Sequence, residues 1–327
     1  MKIEKQRDWL GFVRKHIAQM LLVAFLIFFT YQRPDAFLSV TNFMNIARQV
    51  ATMGIVALGM SFVMLTGGLD FSVGSMVALS GIVSALLIKG AGVPIYPAFA
   101  IAIICCMVAS AITGVVGVLL DIPILVVSIA MQQILNGFNS VITGNQSIYG
   151  FEEPVKFLGQ GELFGFVPVP VVLLVICAAI VNFVLSKTYL GRHLFTVGGN
   201  QRAAKLAGIN VIRTRIVASV VCGFMSGFAG VVLMSRTASA SASVGGTMAS
   251  DVITAAVLGG VSIIGGVGNT SGVITGVLII GILNNGLQLM NVDSTIQNII
   301  KGIILLLAVS LDSIARKQRE RKKLLNN

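Results

Sequence analysis

The chain has 327 residues, of which 56% are apolar and 11% charged, and its net charge is +11. A typical soluble domain carries about 25% charged residues, so this chain has too few to clothe a water-facing surface. That excludes a soluble enzyme or soluble binding module, and the placement of the positive charge, described below, excludes a nucleic-acid binder.

Ten nearly charge-free runs follow one another: 17–31, 50–66, 72–88, 98–120, 122–142, 169–186, 216–235, 252–267, 272–289 and 299–311. Several approach the roughly 20 residues that a helix needs to cross a bilayer. The expected fold is all-α: a polytopic integral membrane protein of about ten transmembrane helices, with short or re-entrant helices among them. The first run follows basic residues, as in a secretory leader, but Tyr31-Gln32-Arg33-Pro34 follows it rather than a small-residue cleavage site. It reads as a retained first span.

Between the second and third runs stands GGLDFSVG, 67–74, with Gly67, Gly68, Asp70 and Gly74. Asp70 suits the start of the next helix, where a carboxylate accepts from free backbone N–H groups. The sharper alternative is a proton or ion site, since ionisable groups inside membranes are usually functional. In the fifth run Gln132, Asn136, Asn139 and Ser140 share one helical face. The loop 144–167 holds Glu152, Glu153 and Glu162 against Lys156 alone.

The segment 187–215 is far longer than a turn between two spans requires. Within it Asn200 to Ala207 is helix-compatible, with Asn200 as N-cap and Gly208 as C-terminal stop. Ala203, Leu206 and Ala207 form a small apolar face, suited to headgroups or to a partner's groove. Further on, 236–268 is dominated by Gly, Ser and Ala, and reads as one short span or a re-entrant pair. It contains GGVSIIGGVG (259–268), which resembles GGLDFSVG without its acid. The ninth run carries Asn284, Asn285 and Gln288.

Basic residues cluster in 2–15, 187–215 and 316–323, which hold five, six and six of them, 17 of the 23 in the chain. Such segments beside spans stay cytoplasmic. An even number of crossings must then separate each cluster from the next, and six and four runs do so. Both termini are expected in the cytoplasm, and 144–167 outside.

No Gly-Lys pair occurs, so there is no nucleotide-cradling P-loop. His16 and His193 are the two histidines, and Cys105, Cys106, Cys177 and Cys222 all lie in apolar runs. Neither set has ligand spacing, and no nucleophile–base pair is evident. The chain reads as a transporter or channel rather than an enzyme, with no cofactor of its own. The carboxamides in the fifth and ninth runs either line a path for a neutral polyhydroxylated solute or bond helix to helix.

The stretches GGLDFSVG (67–74), LGRHLFTVGGNQRAAKLAGINV (190–211), AAVLGGVSIIGGVGNTSGVITG (255–276) and NNGLQLMNVDSTIQNIIKGIILLLAVSLD (284–312) resemble the ribose-type permeases of ATP-binding-cassette importers. That family serves ribose, xylose, arabinose, galactose and related monosaccharides. The resemblance spans about residues 35–312. It implies a permease subunit in a bacterial plasma (inner) membrane, paired with a second copy or close paralogue. A periplasmic or lipid-anchored sugar-binding protein would deliver substrate, and a separate cytoplasmic ATP-binding subunit would supply energy. AAKLAG (203–208) looks like the coupling-loop core, so Asn200, Arg202, Ala203, Ala204, Lys205, Leu206 and Gly208 would contact the ATPase. The candidates for lining the path, proposed on their spacing and with helix-to-helix bonding as the alternative, are Gln132, Asn136, Asn139, Asn284, Asn285 and Gln288. The family commonly has Glu where this chain has Arg202 and Ala249. On this reading 1–16 is a cytoplasmic tail, 17–315 one permease domain and 316–327 a basic tail. An ion-coupled secondary transporter and a non-transporting membrane scaffold are the competing readings.

Overall fold

The computed structural model describes residues 18–325. The basic cluster at 2–15 and the tail 1–16 lie outside them. The helices are α1 (Ala18–Gln32), α2 (Pro34–Phe37), α3 (Val40–Leu65), α4 (Val73–Lys89), α5 (Ile95–Leu119), α6 (Ile124–Thr143), α7 (Glu153–Gln160), α8 (Val169–Lys187), α9 (Tyr189–Gly199), α10 (Gln201–Leu206), α11 (Val211–Thr237), α12 (Met248–Leu258), α13 (Thr270–Leu289) and α14 (Ser294–Leu325). Four two-residue strands make two antiparallel pairs, β1 (Ile148–Tyr149) with β4 (Ser239–Ala240) and β2 (Glu162–Leu163) with β3 (Val167–Pro168). The chain is an all-α membrane protein. Among the described residues six helices, α3, α5, α6, α8, α11 and α13, are long and apolar enough to cross a membrane.

α3 is the centre. Every residue from Val50 to Thr66 is buried, because α8, α11, α12 and α13 all pack around it. Its start is set by Ser39, whose hydroxyl accepts from the Asn42 N–H at 3.2 Å. It begins ten residues before the apolar run at 50–66, carrying polar residues into the bundle on its first turns.

The glycine-rich stretch 236–268 holds a single helix, α12, entered from β4 through irregular chain. Its eleven residues rise about 16 Å, roughly half the hydrocarbon thickness. Gly245, at φ +88°, precedes it, and Gly259 and Gly260 end it. α14 is the opposite case. It has 32 residues, because the helix of the last apolar run continues through the basic segment 316–323.

One end of the bundle gathers the two glycine-rich turns and the segment after α8. The Gly266 N–H donates to the Leu65 carbonyl at 3.0 Å. A Cβ on Gly198 would stand 1.8 Å from the same oxygen. The two glycine-rich turns also meet through bare backbone, a Cβ on Gly265 standing 2.7 Å from the Gly67 nitrogen. The other end gathers the strands, α7, the C-terminal ends of α4, α11 and α13, and the start of α3. There Lys89 donates to the Tyr149 carbonyl and lies 5.7 Å from the centre of the Phe151 ring.

Candidate functional site

At the strand end a polar cavity of about 770 Å³ opens between α3, α7, α11 and α13. The first turns of α3 supply Asn42, Asn45, Arg48 and Gln49, whose spacing of three, six and seven residues puts them on one face. α13 supplies Asn285, Gln288 and Leu289 from its last turns. Gln160 closes α7, and Arg236 lies in the last turn of α11. Leu289 is the one apolar member.

The wall is built by reciprocal bonding. Asn42 Nδ2 donates to Asn285 Oδ1 at 3.1 Å, and Asn285 Nδ2 donates back to Asn42 Oδ1 at 2.7 Å. This amide pair ties α3 to α13. Gln160 Nε2 donates to the Arg236 carbonyl at 2.9 Å. α7 can lie this close to α11 because Gly159 faces it: a Cβ there would stand 2.0 Å from the Arg236 nitrogen. Arg48 Nη2 donates to Glu162 Oε1 at 2.8 Å, the carboxylate arriving on the β2–β3 hairpin. The cavity thus presents carboxamides and guanidinium donors, with one carboxylate at its margin.

The expected path residues separate into three groups. Asn285 and Gln288 line the cavity. Asn284, on the neighbouring face, is buried and donates to Asp251 Oδ2 at 3.3 Å. The α6 residues lie elsewhere and join α6 to α4: Asn136 Oδ1 accepts from the Ser75 hydroxyl at 2.6 Å, and Asn139 Nδ2 donates to the Ser75 carbonyl at 3.1 Å. Ser75 also reaches the Gln132 carbonyl at 3.4 Å. Asn139 is fully buried, whereas Asn136 and its neighbour Gln133 are exposed. Asn42, Asn45, Arg48, Gln49, Gln160 and Arg236 were not anticipated. The signal was present in NFMNIARQ (42–49), whose polar spacing is helical, but it precedes the run taken as the span.

Asp70 is wholly buried and accepts from the Ser72 N–H at 2.9 Å and the Ser72 hydroxyl at 2.5 Å. It closes the turn two residues ahead of α4, and Ser72 is the N-cap position. Gly67 takes φ +82° there, facing the Ile264 carbonyl. Gly68 packs on Val63 and Ile124, and Gly74 on the Gly245 carbonyl.

Between α8 and α11, in the segment 187–215, stand two short helices. α9 was not expected; α10 follows it after one residue. Asn200 Oδ1 accepts from the Ala203 N–H at 3.0 Å, and Gly208 takes φ +79°. Ala204 is buried against Val197, Ile209 and Val211. Arg202, Ala203, Lys205, Leu206 and Ala207 are exposed, Leu206 at 91%.

The sequence profile of the family described as "Branched-chain amino acid transport system / permease component" matches residues 42–309. The ribose import permease protein of Escherichia coli is 36% identical over 311 residues, covering 94% of this chain and 95% of that one. The ribose import permease protein of Bacillus subtilis is 36% identical over 322 residues, covering 95% and 97%. The chain belongs to this permease family. An L-arabinose transport system permease protein of Escherichia coli is 34% identical, with 86% of each chain covered. No solved structure matches.

Proposed function

We propose that this permease is the membrane-spanning subunit of an ATP-driven importer for a monosaccharide of the ribose or arabinose kind, in a bacterial inner membrane. The supporting observation is the cavity lining. Eight of its nine residues are carboxamides or guanidinium donors. A branched-chain amino acid needs an apolar wall for its side chain, and a sugar needs donors and acceptors for its hydroxyls. The named relatives point the same way.

On this reading ATP is hydrolysed by a separate cytoplasmic subunit docked at α10, and a sugar-binding protein delivers to the strand end. Ten crossings, both termini cytoplasmic and one permease domain over 17–315 complete the assignment. α1, α4, α12 and the apolar part of α14 supply the four crossings beyond the six long helices, that of α12 being completed by irregular chain. A second permease copy covers α6, where Gln133 and Asn136 are exposed on a membrane helix; carboxamides are costly against lipid tails. Asn284 and the α6 carboxamides then belong to the path below the outer cavity.

Uptake of labelled D-ribose, L-arabinose, D-xylose, D-galactose and L-leucine by the reconstituted complex tests the substrate class. Sugar uptake is expected; uptake of leucine alone would overturn the reading. Thiol labelling from outside should mark cysteines placed in 150–165 and spare 192–210. Gln133→Cys should cross-link to a second copy.

A further inference from the structure

Asp251 lies in the first turn of α12. Its Oδ2 accepts from Lys301 Nζ of α14 at 3.0 Å and from Asn284 Nδ2 of α13 at 3.3 Å. Asp251 is 7% exposed, Asn284 6%, and the Lys301 side chain 14%. An ion pair inside an apolar bundle is costly to assemble, and costlier still to break by removing one partner. Ionisable groups within membrane segments are rare and usually functional.

What this pair joins gives it meaning. The C-terminal half of α12 is fixed to α13 through bare backbone. A Cβ on Gly276 would stand 1.8 Å from the Ala255 carbonyl oxygen, and one on Gly272 1.9 Å from that of Gly259. The other end of α12 has no helix leading into it; the chain arrives through Gly245 and Gly246, Gly245 touching the Gly74 backbone. α14 packs chiefly on α12, so the Lys301–Asp251 pair ties the last helix to the N-terminal end of α12, the end that meets α4 through the Gly245–Gly74 backbone contact. Asn284 brings α13 into the same tie, one turn from Gln288 in the cavity wall.

We propose that Asp251 is a positioning residue of transport. Held by Lys301 and Asn284, it sets the N-terminal end of α12 against α13 and α14, and links movement of the last helix to the cavity wall. The inference rests on the permease reading above but on no particular sugar.

The test uses the intact complex with its ATPase and binding protein, comparing the parent with Asp251→Asn, Lys301→Gln and Lys301→Arg. D-ribose uptake and ATP hydrolysis are read together. The neutralising variants should keep the ATPase subunit bound and lower sugar moved per ATP by about tenfold or more, and Lys301→Arg should retain most of it. An unchanged ratio in both neutralising variants overturns the proposal. Asn284→Ala removes only the second donor and should lower the ratio by a smaller factor. If the ion-pair variants fail to assemble and Asn284→Ala leaves the ratio unchanged, the tie is scaffold and the proposal falls. A sugar-independent arm follows Thr247→Cys with a water-soluble thiol reagent. Its reaction rate should depend on ATP in the parent and lose that dependence with Asp251→Asn; equal dependence in both also overturns it. A parent that moves neither ribose nor arabinose, yet shows this loss, has failed the substrate reading and upheld this one.

Discussion

The two ends of the bundle are held in different ways. At the strand end side chains do most of the joining, beside the one bare-backbone approach at Gly159: the Asn42–Asn285 amide pair, Arg48 on Glu162 and Gln160 on the Arg236 carbonyl. At the end where GGLDFSVG meets α9, backbones touch without side chains between them, at Leu65, Gly198 and Gly266. Side-chain bonds can be exchanged for bonds to a passing solute or to water, whereas a backbone contact has no alternative partner. The first end is thus the more exchangeable of the two and the second the more rigid.

The largest test of that contrast is at the backbone end. Gly198→Ala places a methyl 1.8 Å from a carbonyl oxygen, while at Gly199 a Cβ meets nothing within 4 Å. Overpacking against backbone costs about 3 kcal/mol at the upper end of the usual range, so Gly198→Ala should sharply reduce folded protein and Gly199→Ala should not. Fluorescence-detected size exclusion after heating measures both, and equal behaviour would break the comparison.

A smaller effect is expected at the cavity wall. Asn42→Leu strands the Asn285 amide, at a cost of about 1–3 kcal/mol. Adding Asn285→Leu removes that orphan but leaves the Phe37 carbonyl, which Asn42 Nδ2 also bonds at 3.0 Å, so thermal stability should recover in part while sugar uptake stays low. Recovery of both would make the amides structural ties alone.

Gly208→Val forces a β-branched residue to φ +79°, about 1–2 kcal/mol of local strain. The bundle should remain intact, and ATP hydrolysed per sugar moved should rise. Smallest is Glu162→Gln. Its carboxylate is 41% exposed, and such a pair contributes about 0–1 kcal/mol, so the melting temperature should hardly move; a large drop would show that the strand end does not exchange its side-chain bonds freely.

Each apolar run read from the sequence has a helix in it, because hydropathy reports the length of chain withdrawn from water. What it could not report is where polar turns extend a helix. α3 begins at Val40, ten residues early, and the cavity is built on those turns. Arg236 directly follows the apolar run 216–235, and nothing local shows that it faces the first turns of α3. The pattern of α10 was legible because Asn200 and Gly208 punctuate it. α9 was not legible, since nothing local says that it folds against the Leu65 turn. Glycine marked the backbone contacts in 236–268, but pairing across more than a hundred residues has no local sign. The carboxamides were recognised as a set, yet periodicity within one helix says nothing about which neighbour each side faces. Asn284 and Asn285, adjacent in sequence, thus serve different partners.

α14 is a single continuous rod. At 1.5 Å per residue its 32 residues extend about 48 Å, beyond the roughly 30 Å of hydrocarbon. Lys301 grips it about 10 Å from one tip and about 36 Å from the other. Treated as a lever with its fulcrum at that ammonium group, the helix has a mechanical advantage of about three and a half. A shift of a few ångströms at the Leu325 tip then corresponds to less than one at the Ser294 tip, so a coarse displacement at the far end is a fine one at the near end.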